Sequence, residues 1–327
     1  GPYFQQKEKQ APAGRSIGLV FACATRHWPA ITLKAYPKMD NLRGAALMIF
    51  AMLGFAIEDM FIKLMAGALP VGQIILMLGI GGATVFAALT LWQGTPLFSR
   101  LFLTRMILLR NLGELVGTLG FVTAIVLTPL SSASAILQAS PLAVTLGAAL
   151  FLQEQVGWRR WSAIIVGFFG VLLIIRPGLD GFDANSLFAV QGVIGLAIRD
   201  LATRQVPRTT SSMQLSFLAF LTLVPTGFIL LQVNGAPLVA PDPKLWALVG
   251  GAVLLGVVSY YAIVAAMRVG DVGFVTPFRY TRLIFAMCVG VLVFGEQPDT
   301  LMLVGSAIIV GSGLFTVWRE RKLYKTA

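Results

Sequence analysis

Nine charged side chains stand inside long apolar stretches of this sequence: Glu58, Asp59, Lys63, Arg110, Glu114, Arg199, Asp200, Arg279 and Arg282. A charge is expensive in such surroundings, so each one either meets an opposite charge or serves a ligand. Asp59 and Lys63 are four residues apart and share one helical face, which leaves Glu58 with no partner in its own stretch. Glu58 could receive a substrate amine, take up a proton, or meet an arginine from elsewhere in the chain. Arg110 and Glu114 repeat the four-residue spacing, and Gly113 and Gly117 beside them form a face on which another backbone can lie close. That group reads first as packing and second as a cavity wall.

The segment Pro277-Phe278-Arg279-Tyr280-Thr281-Arg282 puts two guanidinium groups on one face. They could grip a substrate carboxylate in bidentate fashion, or pair with Glu58, Asp59 or Glu114. Gln138 and Ser140 precede Pro141 in the middle of another stretch, where a proline frees a carbonyl and bends a helix or faces a cavity. Ser259, Tyr260 and Tyr261 offer a hydroxyl and amphipathic rings for a ligand of amino-acid size, or ordinary packing.

Other chemistry is absent from this inventory. The one histidine, His27, and one of the two cysteines, Cys23, lie near the start of the chain, and Cys288 stands alone in an apolar run. Neither a metal-ligand cluster nor an intramembrane histidine relay can be assembled from these, and no cofactor is expected. No HExxH sequence and no glycine-rich phosphate loop ending in Gly-Lys-Ser/Thr occurs, which argues against an intramembrane protease and against ATP hydrolysis. A channel would call for rings of like charge or a filter loop around an axis of assembly, and it ranks behind a carrier.

The elements that must hold these residues are set by composition. Hydrophobic residues make up 57% of the 327 residues and charged residues 12%, about half the share of a soluble domain. From Leu42 onward, runs long enough to span a bilayer follow one another at about 42–64, 71–93, 105–127, 131–153, 159–176, 186–205, 212–232, 244–267, 273–294 and 299–318. The expected fold is therefore all-α, a polytopic membrane protein of ten transmembrane helices.

Charge orients them. The net charge of +11 gathers in the tails and in alternate loops rather than on one face, which speaks against nucleic acid. Eighteen of the 25 Lys and Arg residues fall on one side, against Lys63, Arg176 and Lys244 on the other. The positive-inside rule then places both termini in the cytoplasm, which requires an even number of spans.

Ser162-Ala163-Ile164-Ile165-Val166-Gly167 recurs letter for letter at 306–311, and Phe151-Leu152-Gln153-Glu154-Gln155 is echoed by Val293-Phe294-Gly295-Glu296-Gln297. Two matches in the same order and at nearly the same offset indicate duplication. Five spans per copy is an odd number, so the copies insert in opposite orientations. The expected division is a cytoplasmic tail at 1–41, repeats at 42–178 and 179–318, and a basic tail at 319–327. The opening Gly1-Pro2 resembles a scar left by a protease. Glu154 and Glu296 end corresponding helices on opposite faces and are candidates, with Lys63 and Pro141, for gating or helix fixing.

These features resemble the drug/metabolite transporter superfamily, in its ten-helix form with two EamA-like halves. The resemblance covers about residues 42–318. It rests on Gly54-Phe55-Ala56-Ile57-Glu58-Asp59 followed by Lys63 and Leu69-Pro70, on the Glu154 and Glu296 helix ends, and on Gly167-Phe168-Phe169-Gly170-Val171. Within the superfamily the sequence resembles bacterial amino-acid exporters of the YddG sort. That implies an inner-membrane carrier, working without ATP by alternating access, that exports amino acids including aromatic ones. Related families of the same build carry riboflavin, nucleotide or sugar derivatives, or cationic drugs. The expected partners are a small solute and the lipid bilayer, with a monomer or a dimer as the assembly. One departure is that the basic residue common in the second helix of such proteins is missing near Leu76-Met77-Leu78-Gly79-Ile80, so no role for it carries over.

Overall fold

A computed structural model describes residues 38–153, 157–178, 182–206, 210–269 and 272–324. The expected tail at 1–41 lies almost entirely outside them, as does Glu154. The described residues form the helices α1 (Lys38–Met65), α2 (Val71–Trp92), α3 (Arg105–Leu127), α4 (Leu130–Leu137), α5 (Ser140–Phe151), α6 (Trp158–Ile175), α7 (Ser186–Arg204), α8 (Ser212–Val233), α9 (Pro243–Val269), α10 (Val272–Val275), α11 (Thr281–Phe294) and α12 (Thr300–Tyr324), and no strand. By length and apolarity they make ten membrane spans, with α4 and α5 joined into the fourth and α11 with the turn before it forming the ninth. The expected ten-helix all-α fold is what is found, with span limits within a few residues of those read from hydropathy.

The fourth and ninth spans differ from that reading because neither is continuous. α4 stops at Leu137, and α5 starts afresh at Ser140 with Pro141 in its first turn. Pro141 is thus not a mid-helix kink. It occupies the position where a missing N–H costs nothing, because the first N–H groups of a helix have no partner within it. In the ninth span the residues Thr276–Tyr280 wind as a 3₁₀ turn, again opened by a proline, Pro277, before α11 begins. The two interruptions fall at corresponding places in the two repeats, just before α5 begins at Ser140 and α11 at Thr281.

The halves do not sit side by side. α3 packs along α7, α1 along α9, α2 along α8 and α6 along α12, so every long seam joins a helix of the first half to one of the second. This is what an inverted repeat produces when its two-fold axis passes through the bundle: the α3–α7 seam maps onto α9–α1, and the other two seams map onto themselves. Small residues set the distance. A Cβ on Gly120 would lie 2.6 Å from both Gly192 N and Phe188 O, and one on Gly113 would lie 2.6 Å from Arg199 N. The glycine face expected on α3 is therefore the face on which α7 lies. Large apolar side chains such as Leu42, Phe50, Trp92 and Leu292 are exposed around the outside, as lipid contact requires.

With the near face defined as the one where α1 begins, the far face is tied together by one carboxylate. Gly295 takes a left-handed conformation (φ 65°) and turns the chain back, so that Glu296 N–H bonds to Gly290 O at 2.9 Å. The Glu296 side chain lies over the bare Cα of Gly290 and accepts from Leu130 N at 2.6 Å and from Ser131 N at 3.0 Å, capping the start of α4. The Lys63 ammonium sits 3.6 Å from the same carboxylate and donates to the carbonyls of Ile125 and Thr128 at the end of α3. α1, α3, α4 and the end of α11 are thereby held by two side chains. A second tie, Arg176 to Asp299, joins the end of α6 to the start of α12.

Candidate functional site

The site gathers around the two interrupted spans. Gln138, at the break between α4 and α5, donates its amide to the carbonyl of Arg279 in the 3₁₀ turn at 3.3 Å, so the breaks touch across the interior. A broken helix in a membrane leaves backbone polar groups and terminal dipoles near the midplane. Such irregular backbone is tolerated where it is buried in protein or lines a wet cavity.

On one side of this contact stand Glu58 and Asp59. Asp59 is buried and pairs with Arg282, which approaches it with Nη2 at 2.7 Å and Nε at 3.3 Å. The Arg282 guanidinium lies 5.2 Å from the ring of Phe55 and 5.1 Å from that of Phe121. Two aromatic faces and a bidentate carboxylate hold this cation in place. The expected same-face partnership of Asp59 with Lys63 is therefore replaced. Asp59 finds Arg282 across the helix interface, and Lys63 goes to Glu296 at the far face. Glu58 faces α9 instead, where a Cβ on Gly256 would lie 2.6 Å from its Oε1. Among the described residues no cation stands within ion-pairing distance of Glu58.

On the other side is a chain of alternating charges. Arg110 is buried on the α3 seam and lies 3.6 Å from Glu114, whose other oxygen is 3.3 Å from Arg199 of α7. Arg199 in turn holds Asp200 at 2.8 Å. The expected Arg110–Glu114 pair is present, but sequence spacing gave no sign that Arg199 completes it. Arg110 is 2% exposed and is packed into the seam. Tyr260 of α9 lies near Arg199 and meets Phe86 edge-on at 5.8 Å between ring centres.

Arg279 is half-buried, and among the described residues no carboxylate lies within ion-pairing distance of it. Asp200 lies close enough to attract it, but that carboxylate is held by Arg199. Tyr280 turns away from the site toward α12, where the bare Cα of Gly313 makes room for its hydroxyl. Of the residues singled out from sequence, Glu58, Asp59, Gln138, Arg279 and Arg282 come together at the breaks. Glu114 and Tyr260 stand on the adjoining wall, while Lys63 and Glu296 stand at the far face.

Phe55 and Phe121 were not among the expected site residues, and Arg199 was expected only as a charge inside a span, with no partner or role named for it. One signal could have found Arg199: Ile57-Glu58-Asp59-Met60-Phe61-Ile62-Lys63 is matched by Ile198-Arg199-Asp200-Leu201-Ala202-Thr203-Arg204. The offset is 141 residues, the same as between Gln138 and Arg279.

The model of the EamA-like transporter family matches residues 42–176 and again 185–318. The chain belongs to this family, within the drug/metabolite transporter superfamily. It is a multi-pass membrane transporter and not an enzyme.

Three relatives illustrate the range. A riboflavin transporter of Vibrio cholerae is 33% identical over 200 residues, 59% of this chain and 65% of that protein. An S-adenosylmethionine uptake transporter of Rickettsia conorii is 25% identical over 66% of this chain and 72% of its own length. A pseudopaline exporter of Pseudomonas aeruginosa is 26% identical over 83% of this chain and 95% of its own. A crystal structure at 18% identity superposes with a TM-score of 0.55, covering 85% of this chain and 98% of the other, and shares the fold.

Proposed function

We propose that this family member is a secondary carrier, working by alternating access, for small organic solutes that bear an α-amino-acid group: amino acids, aromatic ones included, and metabolites built on them. The observation that carries this reading is the meeting of the two broken spans at Gln138 and Arg279, flanked by the Glu58 carboxylate and the Arg279 guanidinium, neither of which has an ion-pair partner among the described residues. Helix breaks at the midplane supply the kind of polar backbone on which carriers of inverted-repeat build bind their substrates. The rings of Phe55 and Phe121, against the Arg282 guanidinium, supply an apolar surface beside it.

The relatives differ in cargo, and the chemistry of their cargoes discriminates between readings. S-adenosylmethionine ends in an α-amino acid, whereas riboflavin carries neither an ammonium nor a carboxylate. A flavin-type cargo is the second reading, favoured by the 33% identity to the Vibrio cholerae protein, but it leaves Glu58 and Arg279 without a counter-charge.

By the distribution of basic residues, we place both termini in the cytoplasm of a bacterial cell and the tied far face toward the outside. Two of the three cations expected on that face, Lys63 and Arg176, are held by acids, which sharpens the asymmetry. Export is the direction of the pseudopaline exporter, whose match spans the most of this chain among the three relatives described.

The test is counterflow in proteoliposomes loaded with a panel of unlabelled solutes. Saturable exchange of labelled phenylalanine or S-adenosylmethionine is expected. Exchange of riboflavin alone would overturn the amino-acid reading, and absence of counterflow with every solute in the panel would overturn the carrier mechanism.

A further inference from the structure

The repeat relates Glu58 to Arg199, Asp59 to Asp200 and Gln138 to Arg279, and two of these three pairs differ in charge. The acids at 59 and 200 are both satisfied, one by Arg282 and the other by Arg199. Of the site's charged groups, those without an ion-pair partner among the described residues are the carboxylate of Glu58, from the first half, and the guanidinium of Arg279, from the second. They are not paired with each other, and the guanidinium of Arg282, held by Asp59 and two rings, lies within electrostatic range of both. An inverted repeat would otherwise make the two ends of the site alike. Here duplication followed by substitution has left one end acidic and the other basic.

From this we infer that the site is polarised to hold a zwitterionic α-amino-acid group in one orientation, its ammonium at Glu58 and its carboxylate at Arg279, so that each pole selects against a ligand lacking the matching charge. The inference rests on the carrier reading above and specifies its recognition chemistry. The geometry around each pole favours such a division. Glu58 is kept at the α9 backbone by the missing side chain of Gly256, and Arg282, though within electrostatic range, is paired with Asp59. Arg279 cannot be neutralised by Asp200 without breaking the Arg199–Asp200 pair, nor by Glu114, which stands between Arg110 and Arg199. A ligand carboxylate is the remaining acid, and a planar guanidinium accepts it with two parallel hydrogen bonds. A ligand lacking one of its charges leaves one half-buried pole unpaired, and that produces the discrimination.

The experiment is competition for labelled phenylalanine counterflow in proteoliposomes containing the full chain. The competitors are unlabelled phenylalanine, 3-phenylpropionate, which lacks the ammonium, and phenethylamine, which lacks the carboxylate. With the wild-type protein both analogues should compete at least about tenfold less well than phenylalanine. Glu58→Gln should narrow the gap for 3-phenylpropionate and leave that for phenethylamine, and Arg279→Gln should do the reverse. Glu58→Asp should retain the wild-type order. Because the readout is a ratio between competitors, lower yield of a variant does not mimic the result. If wild-type protein exchanges phenylalanine but neither variant changes the order of competitors, or both variants change it in the same way, the polarised site is wrong while the carrier reading stands. If wild-type protein exchanges no amino-acid-bearing solute, the amino-acid reading itself has failed.

Discussion

Gln138 and Arg279 occupy equivalent positions of the two repeats, 141 residues apart, and they touch: the amide of the first donates to the carbonyl of the second. Residues related by a two-fold axis can meet only on or beside that axis, so this contact marks where the axis crosses the interior. The bond is a single neutral one at 3.3 Å and contributes about 1 kcal/mol. Gln138→Leu should therefore leave the melting temperature of the purified protein within a few degrees of wild type. It should lower the turnover of exchange severalfold, because the two breaks would no longer move together. An unchanged exchange rate at matched protein amount would detach the contact from transport.

The Asp59–Arg282 pair is buried, and it joins α1 to α11. Removing one member leaves the other charge without its counter-ion, at a cost of about 3–5 kcal/mol. Arg282→Gln and Asp59→Asn should each lower thermal stability strongly, and the double variant should recover much of the loss. Fluorescence-detected size exclusion after heating would read this directly. Additive losses in the double variant would show that the two residues act independently.

At the far face, Glu296 caps α4 while Lys63 closes α3, so opening this face requires both to let go. With Cys23 and Cys288 replaced by serine, Lys63→Cys combined with Glu296→Cys should be joined by a short bis-methanethiosulfonate cross-linker that stops exchange, and reduction should restore it. Continued exchange with the cross-link formed would mean that the face does not open there.

The second tie has a pH signature. Asp299 lies at the membrane boundary, and the hydrogen bond from Arg176 holds its carboxyl below the ordinary value of 3.8. A carboxylate whose pKa falls on folding stabilises the fold above its unfolded value, and that contribution is lost as pH drops through the folded value. The effect is modest for a half-exposed group. Melting temperature measured from pH 6 down to 3 should fall slightly less steeply for Asp299→Asn than for wild type.

Gly120→Val puts a branched side chain between α3 and α7 where backbone atoms stand 2.6 Å from any Cβ. The seam must separate, and yield and melting temperature should drop sharply. Gly250→Val, on α9 with no neighbour within 4 Å, is the control and should stay close to wild type. Equal behaviour of the two would remove the seam as a determinant of stability.

Span number and limits were legible in the sequence because lipid imposes a length on every apolar run, and that length can be counted residue by residue. The breaks were half legible. Pro141 and Pro277 mark them, but a proline is equally compatible with a kink in a continuous helix and with the first turn of a new one, and only packing decides between these. Site pairing was the least legible. Arg110 and Glu114 are neighbours on one helix and do pair, whereas Asp59 and Lys63 have the same spacing and do not, because a buried aspartate gains more from a bidentate arginine across the interface than from a lysine one turn away. Local spacing cannot register an interhelical competitor.

The long seams have a consequence for how this protein could be cut. Each joins a helix before Ile175 to one after Ser186, so most of the close packing is already of the kind found between the subunits of an antiparallel dimer. Residues 1–178 and 182–327, made as two separate polypeptides in one cell, should find each other in the bilayer and reconstitute exchange. Covalent continuity would then be a convenience of synthesis rather than a condition of folding.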